Sequence, residues 1–210
     1  MRNATWISRI LAALALTSLL LAGCTRQTTT TLSIDLVDLA GEDTSTTLAA
    51  SLIVNESFYV GDFSEGADLT APNGGYLLDL SESLGEGVVD EITSLELEVG
   101  ISISPTIDLD TFDVGVYVGD EGDEADVFLA ANLIDSIELE DIAADASGTG
   151  TITLTLEEGS ALEDALSTGA IRVGFLLSAT STESEIGEDI TFTWSSGTLE
   201  LTLTPGGLLP

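Results

Sequence analysis

The 210-residue chain has no lysine, no histidine, one cysteine, four prolines and only four arginines. Each absence closes off a chemistry. Without histidine there is no imidazole general base, no histidine-dependent triad and no imidazole metal ligand. Without lysine there is no Schiff base and no Walker-type phosphate lysine. One cysteine cannot form an internal disulfide, so the apolar core alone must hold the fold. Carboxylates are in excess. Asp and Glu number 37, and the formal charge is −33 with a pI near 4.1. A surface this acidic repels nucleic acid and anionic lipid. A hydrophobic content of 44% and a mean hydropathy of +0.36 exclude a disordered acidic tail. The length suits one domain, or at most two small ones.

The N-terminus carries Arg2 and Arg9 and no acid. Ile10 to Leu21 is then an apolar run of 12 residues, interrupted only by Thr17 and Ser18. A spanning helix needs about 20, so the run fits the apolar region of a secretory signal peptide instead. It ends in Leu21-Ala22-Gly23-Cys24. This segment resembles the lipobox of bacterial lipoproteins, which are cut before the cysteine and acylated on it. The resemblance covers residues 1–24 only, and no family is evident for the rest. It implies a signal peptide over 1–23, an anchor of fatty acyl chains such as palmitate on Cys24, and a cell-envelope location. Thr25 follows the cysteine where an inner-membrane sorting signal has Asp, which implies the outer membrane if the organism has two. Removing residues 1–23 takes away two arginines and no acid, so the charge moves from −33 to −35. Residues 24–31 then read as a lipidated polar tether, 32–205 as a single acidic domain and 206–210 as a tail.

From Leu32 onward apolar residues recur at every second position, the period of strands with one buried face. Leu32 to Leu36, Leu95 to Ile103, Phe112 to Val118, Ile152 to Leu156, Ile190 to Trp194 and Leu199 to Leu203 all show it. Further strands are expected near 51–60, 75–80, 127–133 and 170–178. Ser195-Ser196-Gly197 between two alternating runs predicts a hairpin over 190–204. Ser160 and Glu163 fit a capping box with Gly169 as the stop, predicting one short crossover helix. A second short turn is expected near 137–144. The fold class is all-β: an antiparallel sandwich of about nine or ten strands, with an eight-stranded barrel as the alternative.

Asp120, Glu121, Asp123, Glu124 and Asp126 place five carboxylates in seven residues. Their mutual repulsion would be relieved by a hard cation such as Ca²⁺, which takes six to eight oxygens from a flexible loop. The spacing is not that of an EF-hand, and a hydrated acidic turn is the other reading. Asp108, Asp110 and Asp113 form a second cluster. Paired carboxylates can serve glycoside hydrolysis, but no sugar-contacting residues lie nearby, so a solvated edge is expected and no catalytic residue is assigned. Tyr117 has the opposite parity to Val116 and Val118, which puts it on an outer face beside Gly115, with Tyr59 and Tyr76 also outside; it reads as an ordinary amphipathic surface residue or, alternatively, as a sugar-stacking platform. Phe192 and Trp194 share the parity of Ile190 and read as core. Arg172, the lone cation of the domain, is expected to pair with a carboxylate.

These readings converge on a non-enzymatic, lipid-anchored envelope module. It would be structural or ligand-binding, with an envelope protein or glycan as partner and no nucleic acid. The alternative is a carbohydrate-binding or adhesion module, with or without a dependence on calcium. The sequence offers two uses for the acidity. One is salt adaptation, since a surface rich in Asp and Glu and free of Lys resembles proteins of saline environments. The other is binding of multivalent cations.

Overall fold

The computed structural model describes residues 29–41, 44–54, 56–61, 69–72, 74–80, 92–120, 122, 127–156, 166, 169–182 and 187–203. The signal segment with Cys24, the capping box at Ser160–Glu163 and the tail at 206–210 lie outside them. The described residues form two five-stranded sheets. The strands are β1 (Thr30–Asp35), β2 (Ser45–Ala49), β3 (Phe58–Val60), β4 (Tyr76–Asp79), β5 (Ile92–Pro105), β6 (Leu109–Asp120), β7 (Leu133–Ile142), β8 (Gly148–Leu156), β9 (Ala170–Thr180) and β10 (Asp189–Leu203). The first sheet has the order β1-β10-β5-β8, with β2 also on β10. The second has the order β3-β9-β6-β7, with β4 also on β9. All these ladders are antiparallel. The sheets do not join into a barrel, so the architecture is the antiparallel sandwich.

Alternation explains the layers. Inward residues of β5, β6, β9 and β10 meet between the sheets, where Trp194, Phe112, Phe175 and Phe192 are fully buried. The Phe175 ring lies 5.4 Å from Phe192 and 5.3 Å from Trp194. No polar or charged residue is buried among the described residues. The carboxylates described are therefore left to outer faces and loops, where water hydrates them.

The hairpin expected over 190–204 is a single strand. β10 runs unbroken through Ser195-Ser196-Gly197, and both its halves pair with β5, from Ile190↔Pro105 to Leu203↔Ile92. The buried residues switch parity between Trp194 and Leu199 because the ladder slips between Trp194 and Ser196. A bulge produces the same change of parity as a turn but leaves the chain direction unchanged.

Three other expectations need correction. Residues 127–132 hold turns and a 3-10 segment at Ala130–Asn132, and strand begins only at Leu133. Of the stretch 137–144 where a turn is expected, residues 137–142 are the second half of β7, and the turn falls at 144–145. In Leu133–Ile142 the apolar residues fall at 133, 134, 137, 139 and 142, a mixed spacing, and a register shift opposite Val116 and Tyr117 interrupts the alternation at its start. Residues 51–53 are not strand but belong to a short helix α2 (Ala50–Ile53), and Val54 makes only an isolated bridge with Ala179 before β3. Another short helix, α1 (Leu36–Ala40), ends the first alternating run. Asp35 caps it, its Oδ1 accepting from the backbone N–H groups of Val37 at 3.0 Å and Asp38 at 3.1 Å. Near the crossover, Gly169 has φ +80° and donates its N–H to the carbonyl of the buried Leu166.

Candidate functional site

On the second sheet, β6 turns Gly115, Tyr117 and Gly119 outward, and β9 turns Arg172, Gly174 and Leu176 outward. The register pairs Tyr117 with Gly174 and Gly115 with Leu176. On the flanking strands it pairs Tyr59 with Leu176 and Leu77 with Arg172. A missing side chain at Gly174 leaves a slot, and Phe128 fills it. A Cβ built on Gly174 would stand 2.7 Å from Phe128 Cζ. The Phe128 ring centroid is 5.0 Å from Tyr59, edge-on, and 5.4 Å from Tyr117, tilted. These are favourable aromatic geometries.

Tyr117 is therefore not the exposed residue its parity predicted. It does face outward, but Phe128 folds over it and leaves it 8% exposed. Burial raises its phenol above the usual pKa of 10.0, and the neighbouring Tyr59 raises it further. Nothing in the alternation of β6 signals this, because the covering ring comes from the loop before β7. Tyr59 and Phe128 stay half-buried. Leu77 and Leu133 lie on the same face by register, 47% and 43% exposed, and Leu129 next to Phe128 is 52% exposed. The face can offer dispersion and ring contacts but few charges. Tyr76 faces inward, its ring 6.0 Å from Trp194.

Of the proposed calcium loop, Glu121, Asp123, Glu124 and Asp126 lie outside the described residues. Asp120 ends β6, and its Oδ1 accepts the N–H of Gly122 at 2.6 Å. The second cluster divides. Asp108 and Asp110 are exposed and, with Asp141 and Thr182, line an open depression of about 290 Å³ with no aromatic wall among the described residues. Asp108 Oδ1 accepts from the Ala144 N–H at 2.6 Å. Asp113 instead sits on the outer face of β6, opposite Glu138. Among the described residues no three carboxylates are arranged to hold a metal ion.

The outer face of the first sheet is polar. Ser45 with Thr193, and Thr47 with Thr191, form cross-strand hydroxyl pairs at 3.0 and 3.2 Å. Glu96, Glu98, Thr198 and Glu200 surround a depression of about 140 Å³. Arg172 donates Nη1–H to the carbonyl of Gly74 at 2.7 Å, tying the loop before β4 to β9.

No family model and no curated protein matches the chain. Among solved structures it is similar to the infectious bursal disease virus Gx strain structure, at 9% identity and TM-score 0.34, covering 85% of this chain and 33% of that one. The VP2 subviral particle of infectious bursal disease virus is similar at 12% identity and TM-score 0.36, covering 89% and 36%. The xylan-binding module CBM15 is similar at 14% identity and TM-score 0.27, covering 76% and 97%. The chain spans about a third of the length of the two viral chains. These distant likenesses transfer no function.

Proposed function

We propose that this protein is a lipid-anchored, non-enzymatic β-sandwich of the cell envelope, acting as a structural or ligand-binding module. The observation that carries the reading is Leu21-Ala22-Gly23-Cys24 closing an apolar run of 12 residues, shortly before the first strand begins at Thr30. Each buried acyl CH₂ contributes about 0.8 kcal/mol, and more than one chain makes anchoring stable. A short tether would then hold the acidic sandwich just outside the bilayer. Labelling cells with a palmitate analogue tests this. The label and the membrane fraction should retain the wild-type chain, and Cys24→Ser should lose both. A wild-type chain that takes up no label and stays in the soluble fraction would sink the proposal.

A carbohydrate-binding or adhesion role assisted by calcium is the second reading. It is favoured by the half-buried Tyr59 and Phe128 on one face, Phe128 following the acids of residues 120–126 closely in sequence. A glycan array run with and without millimolar CaCl₂ separates the two. Binding that needs calcium supports the second reading, and a blank array under both conditions removes it.

A further inference from the structure

We infer that the free edge of β8 is a self-association surface, at which two copies join antiparallel into one continuous sheet. Sheet edges carry unpaired backbone N–H and C=O groups, and proteins protect them with charge, shortness or bulges. The other edges here are protected in those ways. β3 and β4 have three and four residues, and β2 has five. β1 carries Asp35, and β7 carries Asp135, Glu138, Glu140 and Asp141. β8 is different. Its nine residues, Gly-Thr-Gly-Thr-Ile-Thr-Leu-Thr-Leu, bear no charge, in a chain with 37 carboxylates. It pairs with β5 in unbroken register from Leu95↔Leu156 to Ile103↔Gly148. Among the described residues no strand pairs with its other side.

The occupant that fits is a second copy. A two-fold axis through the sheet pairs residues of equal parity. Thr149, Thr151 and Thr153 of one copy would meet threonines of the other on the outer face. Ile152 and Leu154 would meet apolar residues on the inner face. Cross-strand threonine pairs are favourable, and like charges directly opposite are not. The β8 edge is therefore where two such acidic chains can meet without setting carboxylate against carboxylate. Glu96 and Glu98 stand one strand back, and the β7 acids lie alongside. Their repulsion makes the association depend on salt.

Sedimentation of the full chain in detergent tests this. The protein mass should be that of one chain in low-salt buffer and double in molar NaCl. Thr149→Glu with Thr151→Glu, opposite Ser102 and Gly100, should keep the melting transition and abolish the doubling. Thr31→Glu with Thr47→Glu, on the opposite edge, should keep both. Single Thr149→Cys, Thr151→Cys and Thr153→Cys chains in a Cys24→Ser background give a gentler probe. Mixed pairwise and oxidised in molar NaCl, at least one combination should form an intermolecular disulfide. Either a mass that does not change with salt or the absence of a disulfide in every combination would overturn the inference.

Discussion

The indole of Trp194 reaches across the bulge in its own strand, its Nε1–H donating to the carbonyl oxygen of Ser196 at 2.8 Å. The ring then lies over Gly197, where a Cβ would stand 2.9 Å from Cζ2 and 3.0 Å from Nε1. The bulge therefore seats the largest core side chain, satisfies its one polar atom and keeps β10 on β5. Gly197→Ala should force the fully buried ring to shift. Overpacking of this kind costs about 1–3 kcal/mol. We expect a lower melting temperature and a red-shifted emission from Trp194. An unchanged melting temperature would mean that the bulge is not held by this contact.

Phe128 and Gly174 give a second test. Gly174→Ala should cost about 1–3 kcal/mol by pushing Phe128 out of its slot. In a Phe128→Ala background the three closest contacts of the added methyl, all with the Phe128 ring, are gone. The same change should then be neutral, or stabilising by about 0.4–1 kcal/mol through the unfolded chain. A double-mutant cycle by urea melts reads the coupling directly. Additive effects would show that the slot does not determine where Phe128 sits.

The same residues show what the sequence could and could not reveal. Strict alternation located β5, β6 and β8 and placed Phe192 and Trp194 in the core, because a strand with one buried face must repeat every second residue. It failed where two physical causes give one pattern. The parity change after Trp194 reads as a turn, and only pairing with β5 across both halves identifies the bulge. β7 failed for a similar reason, its shifted register separating Ile134 from the parity of Ile137 and Leu139. At the candidate face, parity correctly turned Tyr117 outward. Its cover comes from Phe128, a loop residue with no periodicity to read. Short helices such as Leu36–Ala40 escaped because Leu36 also completes an alternating run. Asp35, at N-cap position, was the available signal.

Tyr117 offers a titration test. Its phenol is raised by burial first and by Tyr59 second. The folded state therefore holds the proton more tightly than the unfolded chain. The resulting stabilisation is complete below the ordinary tyrosine pKa of about 10 and is lost as pH rises through the folded value. Absorbance at alkaline pH should show one tyrosine titrating late in the folded protein. Phe128→Ala uncovers the ring and should bring that titration back toward the ordinary range. A late titration that survives Phe128→Ala would assign it to another cause.

Glu96 and Glu200 stand directly opposite each other on β5 and β10, with Glu98 beside them. Like charges in such a position are destabilising by roughly 0.2–1 kcal/mol. Glu200→Thr removes the repulsion and keeps a good strand former, so it should raise the melting temperature in low-salt buffer. The gain should fade in molar salt, where the Debye length falls from about 10 Å to about 3 Å. The wild-type protein should itself melt higher in NaCl and KCl alike, because screening is indifferent to the identity of the cation. Calcium acting as a ligand predicts the opposite behaviour. Glu200→Thr would then lower the melting temperature in millimolar CaCl₂, and matched ionic strength would not reproduce the wild-type shift. Melting curves of the two chains in the three salts therefore decide whether this acidic face is a screened surface or a cation site.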